Sequence, residues 1–383
     1  MSTYLDHASG WPPSLAVRDA MARWIAVGAS PMGLHEYARG PAEAVDASRV
    51  AVSHLVGWAG DAVILTSGPT EARNLAIKGS LAARGLTGPV IAMDLLAHAS
   101  AIAAARSVTR DGGAVHMAQV STVGDVLPQA MATAAIGADL VVITHAQAEV
   151  GCVRDAATTI TAVREAAPHA VIVLDAEETA GLLPILDGLG ADLVVLGGRS
   201  LGGPAWTGAL LVRPGTVIHP LIEGGLEEGG KRGGAHDLLG IAGLGAAADE
   251  ARAAMPLRAD QMRAAATRLV DALLHVPGVV LNGPPSPDRL PGHVQVSARG
   301  VEGEALALAM AARGVAVAPG SACTFGAGKS SPVLQAMGAD DEVARGAVLI
   351  TIGPDTTDEH LAVATRAFTE SVVALRAMAP PRP

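Results

Sequence analysis

The most reactive side chain in this sequence is a thiol in a glycine-bounded loop. Cys323 lies in Pro319-Gly320-Ser321-Ala322-Cys323-Thr324, ahead of a predicted helix around residues 332–337. This placement predicts an exposed thiol, and a nearby helix start or Lys329 could favour the thiolate that nucleophilic chemistry needs. Cys152 follows Gly151 at the exit of an apolar run, and we interpret it as a small buried apolar residue.

Polar groups that follow apolar runs form the second set of candidates. Asp175 comes directly after the run 171–174, and a carboxylate at that depth needs a partner that offsets its desolvation. His98 begins a predicted helix after another run, where a histidine can be structural or catalytic. The segment Thr66-Ser67-Gly68-Pro69-Thr70 follows a run and opens a helix, so it could bind a phosphate, although Ser and Thr are also ordinary helix N-caps.

A repeated strand-helix pattern must position these groups. Short apolar runs alternate with alanine-rich helical segments, which predicts an α/β fold with a mostly parallel sheet. The runs are residues 62–65, 90–93, 140–144, 171–174 and 193–196, and the helical segments are residues 41–56, 70–83, 98–108 and 158–166. Ligands gather at the carboxyl ends of strands in such sheets, so residues just after each run are the candidates for a site.

The C-terminal part of the chain has its own strand and helix pattern. A helical region over residues 237–276, with a break expected near Pro256, leads into four short apolar runs and a closing helix over residues 358–378. The four runs are residues 279–281, 294–297, 315–317 and 348–352. We interpret this part as a smaller α/β domain.

Composition narrows the classes of function. The chain has 383 residues, of which half are apolar and 17% charged, so it is globular and long enough for two domains. Its formal net charge of -10 argues against a nucleic-acid groove. Two cysteines allow neither a disulfide framework nor a cysteine metal cluster, and we predict no metal site. No signal segment or membrane-length apolar run is evident, so we expect a cytoplasmic protein without membrane contact.

Three motifs resemble one known family. They are Tyr4-Leu5-Asp6-His7-Ala8, the pair Thr66-Ser67-Gly68-Pro69-Thr70-Glu71 and Asn74-Leu75-Ala76-Ile77-Lys78-Gly79, and Gly320-Ser321-Ala322-Cys323-Thr324. Together they resemble the cysteine desulfurase (NifS/IscS-like) branch of class V aminotransferases, in register from residue 4 to about residue 375. The resemblance implies the fold type I of pyridoxal-phosphate (PLP)-dependent transferases. It also implies a dimer, a large domain over residues 13–255, and a small domain that combines residues 1–12 with 256–383.

The resemblance assigns roles to several residues. Asp175 would pair with the pyridine nitrogen of PLP, His98 would stack on the ring, and Thr70 would belong to the phosphate cup. Cys323 would attack the substrate sulfur and carry a persulfide, although it could also be an inert inherited residue.

The residue that should hold the cofactor is absent. The family motif Ser-x-His-Lys-x-x-Gly-Pro reads Gly197-Gly198-Arg199-Ser200-Leu201-Gly202-Gly203-Pro204 here, so Ser200 stands where the lysine is expected. A hydroxyl can neither form an imine nor serve as a tunable amine base. Arg199 replaces the histidine of that motif and could still bind an anion. We therefore expect no covalently bound PLP.

Other contacts of the family site have changed as well. Glu178 replaces the glutamine that would bond the phenolic oxygen of PLP, which brings a carboxylate against an oxyanion. Ala235 stands where a threonine is expected, and Leu349 where an arginine would clamp the substrate carboxylate. The chain has three lysines, Lys78, Lys231 and Lys329, and only Lys231, in the loop expected to cross the dimer, could substitute for the Schiff-base lysine.

Three functional hypotheses remain. The first is a degenerate desulfurase paralogue in sulfur transfer or biosynthesis, acting as a homodimer or as a heterodimer with an intact desulfurase, and passing sulfur to an acceptor protein. The second is a cofactor-independent enzyme that binds a small molecule in the remodelled pocket, since several titratable groups in one cleft indicate catalysis. The third is a PLP enzyme that binds the cofactor noncovalently or uses a lysine from another chain.

Overall fold

The computed structural model of the chain describes residues 3–58, 62–110, 112–320 and 330–378. Cys323 and Lys329 therefore lie outside the described residues.

Helices and strands alternate through most of the chain. The described strands are β1 (Thr3–Tyr4), β2 (Ala62–Thr66), β3 (Val90–Asp94), β4 (Ala114–Ala118), β5 (Leu140–Thr144), β6 (Val171–Asp175), β7 (Leu193–Gly197), β8 (Gly208–Val212), β9 (Val279–Leu281), β10 (His293–Ala298), β11 (Val315–Ala316), β12 (Ala318–Pro319) and β13 (Ala347–Thr351). The described helices are α1 (Leu15–Ala22), α2 (Glu36–Leu55), α3 (Pro69–Asn74), α4 (Ser80–Arg84), α5 (Ala99–Thr109), α6 (Pro128–Ala135), α7 (Ala156–Ala166), α8 (Leu238–Leu274), α9 (Gly303–Ala311), α10 (Pro332–Ala336), α11 (Asp341–Arg345) and α12 (Asp358–Met378). A π-helical turn, Leu75–Gly79, joins α3 to α4.

A seven-stranded sheet forms the centre of the large part of the chain. Its strand order is β2-β8-β7-β6-β5-β3-β4, and β8 runs antiparallel to its neighbours. The residues of β5 alternate between two buried cores, with Val141 in one and Val142 in the other, because successive side chains point to opposite faces. Burial of both faces explains the continuous apolar runs, and the predicted mostly parallel α/β sheet is confirmed.

All five predicted runs of the first set lie within strands of this sheet. Two strands were missed. β4 reads Ala-Val-His-Met-Ala with an exposed histidine, and β8 is a short Gly-Ala-Leu-Leu-Val segment behind a glycine-rich loop.

A second sheet, in the order β12-β13-β10-β9, is antiparallel and packs with α8, α9 and α12 around Phe368. The expected break near Pro256 is wrong, because α8 is one helix of 37 residues. Its first half packs into the large core through residues such as Ala247, and its second half packs into the small core through residues such as Met262. The division of the chain into domains at residues 255 and 256 stays a prediction.

Candidate active site

A cavity of about 360 Å³ lies at the carboxyl ends of the parallel strands. Thr144 ends β5, Asp175 ends β6, and His98 and Arg199 follow β3 and β7 respectively. Asp6, from the N-terminal segment, lines the cavity beside them. The expectation that polar residues gather at this edge of the sheet agrees with this arrangement.

Five alternating charges form one continuous network at the cavity, which we call the charge ladder: Asp175, Arg73, Glu177, Arg199 and Glu178. Arg73 Nε donates to Asp175 Oδ2 at 2.6 Å, and Arg73 Nη2 donates to Asp175 Oδ1 at 3.0 Å and to Glu177 Oε2 at 2.5 Å. Arg199 Nη2 continues the ladder to Glu177 Oε1 at 2.7 Å and to Glu178 Oε1 at 2.6 Å. Each carboxyl of the ladder therefore contacts at least one guanidinium group.

Arg73 occupies this place because of its position on α3. Ala76 and Ile77, three and four residues later on the same side, are buried against the core, and only 3% of the Arg73 side chain is exposed. A charge at that depth requires partners, which Asp175 and Glu177 supply.

The ladder sets the charge states of its members. Burial by itself would raise the pKa of Glu177, but Arg199 and Arg73 outweigh burial and hold this pKa well below its usual value. Burial raises the pKa of Glu178, Arg199 opposes this effect, and the neighbouring Glu177 adds to it. Glu177 is therefore the stable anion of the ladder, and Glu178 is the carboxyl that accepts a proton more readily.

The hydroxyl group of Ser200 is hydrogen-bonded to backbone carbonyl oxygens of the same chain. Its Oγ donates to the carbonyl oxygen of Glu177 at 2.5 Å, and the carbonyl oxygen of Gly197 lies 3.3 Å away. The side chain is buried and does not line the 360 Å³ cavity; it borders a smaller neighbouring cavity with Arg199 and Glu178. At this position the chain offers a bound alcohol and no amine.

His98 is the N-cap of α5. Its Nδ1 accepts from the backbone N–H of Ser100 at 3.1 Å, which fixes the ring at the wall of the cavity. Burial lowers the pKa of His98, and the positive charge of Arg73 lowers it further. The imidazole is therefore neutral at pH 7.

The structure brings together four of the seven candidate residues: His98, Asp175, Glu178 and Arg199 all line the cavity. Ser200 lies behind it. Thr70 is exposed at the start of α3 and does not line the cavity. Cys323 lies outside the described residues, whereas Gly320 lines the cavity.

Three site residues were missed from sequence. Arg73 and Glu177 are the interior members of the charge ladder, and Thr144 ends β5 beside Asp175 in the parallel register. Arg73 stands between the two motif segments 66–71 and 74–79, and the residues three and four positions later, Ala76 and Ile77, are apolar. A charged residue in an apolar helix face was the signal that could have found it.

The residues present do not fit PLP in the binding mode of the resembled family. Both carboxylate oxygens of Asp175 already accept from Arg73, so the charge of Asp175 is compensated within the chain and would stabilise a protonated pyridine less than an unpaired carboxylate would. Pro69 carries no N–H for a phosphate, and the N–H of Ser67 is bound by Glu71 Oε2 at 2.7 Å. Lys78 and Lys231 do not line the cavity of their own chain. A contribution of Lys231 to the site of a partner chain stays a prediction.

Cys152 is buried as predicted, with 1% of its surface exposed. Burial raises the pKa of its thiol to about 11, so it stays protonated at pH 7. Its reactivity is correspondingly low.

The loop 224–236, which the resemblance places against a partner's phosphate, is anchored on its own chain through Glu228. Arg49 binds both oxygens of Glu228 at 2.5 and 2.6 Å, and the N–H of Leu65 donates to Oε2 at 2.8 Å. His236 Nε2 lies 2.8 Å from Oε1. Burial alone would raise the pKa of Glu228, but the hydrogen bonds from His236 and Arg49 lower it to about 2.

The contacts of Glu228 predict that the folded chain becomes less stable in acid. The pKa of Glu228 is about 2 in the folded chain and 4.5 for an ordinary glutamate, so the unfolded chain binds more protons between these pH values. The free energy of unfolding should therefore fall as the pH drops through this window, by up to about 1.4 kcal/mol per pH unit for this carboxyl. Urea unfolding between pH 5 and pH 3 measures the slope.

The matched variants are Glu228→Gln and Glu43→Gln. Glu228→Gln should flatten the slope, whereas Glu43→Gln, which alters an exposed i,i+4 pair with Arg39, should leave it unchanged. An unchanged slope in Glu228→Gln would contradict the assignment.

Within the described part of the chain, no helix is long and apolar enough to cross a membrane. Among the same residues, no group of three or more His, Cys, Asp or Glu side chains is arranged to hold a metal ion.

Comparisons with known proteins agree with the fold. The family model described as "Aminotransferase class-V" matches residues 3–362. The chain is 32% identical over 391 residues to "Cysteine desulfurase IscS" of Dictyoglomus turgidum, an alignment that covers 98% of this chain and 96% of the relative. It is 30% identical over 387 residues to "Cysteine desulfurase IscS 1" of Archaeoglobus fulgidus, with 98% of each chain covered.

Solved structures show the same architecture. A structure titled "NIFS-LIKE PROTEIN" superposes with a TM-score of 0.90 at 23% identity, covering 98% of this chain and 100% of that one. The "Apo structure of Cysteine Desulfurase from Thermococcus onnurineus NA1" superposes with a TM-score of 0.85 at 19% identity, covering 97% and 95% respectively. The NifS-like fold predicted from the motifs is thus confirmed.

Proposed function

Because the chain belongs to the aminotransferase class-V family and is cysteine desulfurase-like over nearly its whole length, we propose that it serves sulfur transfer or a biosynthetic pathway without PLP-dependent desulfuration of its own. The observation that supports this proposal most directly is the presence of Ser200 where the family motif has a lysine. Its hydroxyl donates to the carbonyl oxygen of Glu177, in the segment where the family motif places the lysine. The family is one of PLP-dependent enzymes, but this chain presents no amine at that position.

Arg73 supports the same proposal independently. Its guanidinium group occupies both oxygens of Asp175, which is the residue expected to charge the pyridine ring. Loss of the amine and occupation of the aspartate affect two separate requirements of PLP chemistry. A single substitution at position 200 would not account for both.

Sulfur transfer through Cys323 is the activity that we assign to the chain. The thiolate of Cys323 attacks the outer sulfur of a donor persulfide, and a new S–S bond forms on Cys323. The bond between the two donor sulfurs breaks, and the donor sulfur leaves as a thiolate that takes up a proton. The step needs no oxidant, since the sulfur keeps its oxidation state. We propose that an intact desulfurase homologue is the donor, and that this chain pairs with it or with a second copy of itself in the cytoplasm before passing sulfur to an acceptor protein.

A radiolabel experiment tests this transfer. The protein is incubated with an intact, PLP-loaded cysteine desulfurase and [³⁵S]cysteine, and label on this chain is measured on a non-reducing gel. Label that dithiothreitol removes is expected on the unaltered chain. Cys323→Ser should reduce the label to background because the attacking thiol is gone.

Cys152→Ser is the matched control, since Cys152 is the other cysteine and its buried thiol is protonated at pH 7. This variant should keep the label. Equal labelling of Cys323→Ser and the unaltered chain would contradict sulfur transfer through Cys323.

A further inference from the structure

A second cavity, of about 690 Å³, lies apart from the candidate active site, and none of the described residues lines both cavities. The N-terminal segment forms one wall with Trp11 and Arg18, and the long helix α8 forms another with Arg258. The loop between β13 and α12 contributes Asp355. The volume lies within the range of about 300–1,000 Å³ that is common for small-molecule sites.

Arg258 is a half-buried cation at this cavity. Its guanidinium group lies over the indole ring of Trp11, 5.1 Å from the ring centre, but forms neither a hydrogen bond nor an ion pair with a described residue. Burial lowers the pKa of Arg258, and the charges of Glu250 and Asp355 offset this effect only in part. A cation that has lost part of its water in this way is stabilised by an anion that reaches it.

The other charges of the cavity limit the charge of such an anion. Glu250 Oε1 accepts from the hydroxyl of Ser14 at 2.8 Å, and Arg18 Nε donates to the carbonyl oxygen of Ser14 at 3.3 Å. The two arginines, Arg18 and Arg258, balance the two carboxyls, Glu250 and Asp355, in formal charge. A ligand with one negative charge would therefore meet less repulsion than a phosphate dianion.

Apolar groups line much of the remaining wall. They belong to Trp11, Pro12, Pro13, Leu15, Leu201 and Pro354. Leu15 is 65% exposed, so its side chain is available to pack against a ligand. An apolar ligand body would remove this surface from water.

We propose that the second cavity binds an organic monocarboxylate, with its carboxylate on Arg258 and Arg18 and an apolar body against Trp11 and Leu15. The N–H groups of a guanidinium match the two oxygens of a carboxylate in geometry and charge. The inference goes beyond the proposed function and does not rest on it, because the two cavities have separate linings.

Isothermal titration calorimetry with indole-3-propionate tests the inference, because this probe joins one carboxylate to an apolar ring. Indole-3-propionamide has nearly the same shape without the charge, tryptamine carries an ammonium group in place of the carboxylate, and propionate lacks the ring. Indole-3-propionate should bind at least about tenfold more tightly than each of the other three, since it alone satisfies both the arginines and the apolar wall.

Two variants locate the binding. Arg258→Gln should weaken the binding of indole-3-propionate by about tenfold or more, because the carboxylate loses a charged hydrogen bond. Arg18→Gln should weaken it about 2–5-fold, since Arg18 is exposed. Arg252→Gln is the matched control, because Arg252 is exposed on α8 and does not line the cavity, and it should bind the probe as the unaltered protein does.

The Arg258→Gln variant should fold, because Arg258 has no ion pair with a described residue to lose, and urea unfolding checks this. The inference is overturned if indole-3-propionate gives no binding heat, if any of the three comparison compounds binds as tightly, or if Arg258→Gln binds the probe unchanged. These outcomes leave sulfur transfer untouched, because the ³⁵S label on this chain is measured without the probe. Absence of that label while the probe still binds would instead remove the proposed function.

Discussion

Incubated with PLP and cysteine, the purified protein is expected to release alanine at least about 10⁴-fold more slowly than an intact cysteine desulfurase, because no positioned amine is available as nucleophile and base. Ser200 cannot be converted to that role by its surroundings, since its hydroxyl already donates to the carbonyl oxygen of Glu177. Alanine is measured by chromatography, and covalent PLP by borohydride reduction followed by mass analysis of the intact chain.

Restoring the lysine separates two causes of inactivity. In Ser200→Lys we still expect alanine release far below that of an intact desulfurase, because the guanidinium group of Arg73 pairs with Asp175, the residue expected to charge the pyridine ring. Alanine release by the unaltered chain at the rate of the intact enzyme would contradict the proposed function. Alanine release at the intact enzyme's rate in Ser200→Lys alone would show that the pairing of Arg73 with Asp175 does not prevent catalysis.

The fold could be predicted from sequence because its determinants are local and repeated. Strands such as β6, with both faces buried, appear as continuous apolar runs, and α12 has the bounds that its pattern predicted. β4 was not predicted because its exposed histidine interrupts the apolar pattern. The continuity of α8 through Pro256 was not predicted because packing on two cores outweighs the tendency of proline to break a helix.

The site was predicted only in part. Asp175, His98, Glu178 and Arg199 follow strands, so the parallel sheet brings them to one edge. Arg73 reaches the same cavity from α3, and its contact with Asp175 joins positions 102 residues apart. No spacing rule in the sequence encodes such a pairing, and the charge ladder therefore became visible only with the structure.

Arg73→Met is expected to cause the largest loss of stability among single substitutions at the site. The variant removes the guanidinium group from Asp175 and leaves this carboxylate buried, whereas Glu177 keeps Arg199. Breaking a buried ion pair by removing one partner costs about 3–5 kcal/mol, because the remaining charge has lost its water and its partner. Urea unfolding at pH 7 should show this as a lower midpoint.

Arg39→Met is the matched control. Arg39 pairs with Glu43 on α2 with 80% of its side chain exposed, so its removal should change the free energy of unfolding by no more than about 1 kcal/mol. Equal losses in Arg73→Met and Arg39→Met would show that the buried pair contributes no more than a surface pair.

The double variant Arg73→Met, Asp175→Asn keeps the test informative if Arg73→Met does not fold. Asparagine is uncharged, so the double variant contains no unpaired carboxylate at position 175 and should recover part of the stability lost in Arg73→Met. Recovery would assign the loss to the isolated charge of Asp175 and not to the packing of the arginine side chain. Because Arg73 also compensates the charge that would stabilise a pyridinium, the same contact would then stabilise the fold and weaken the expected coenzyme contact.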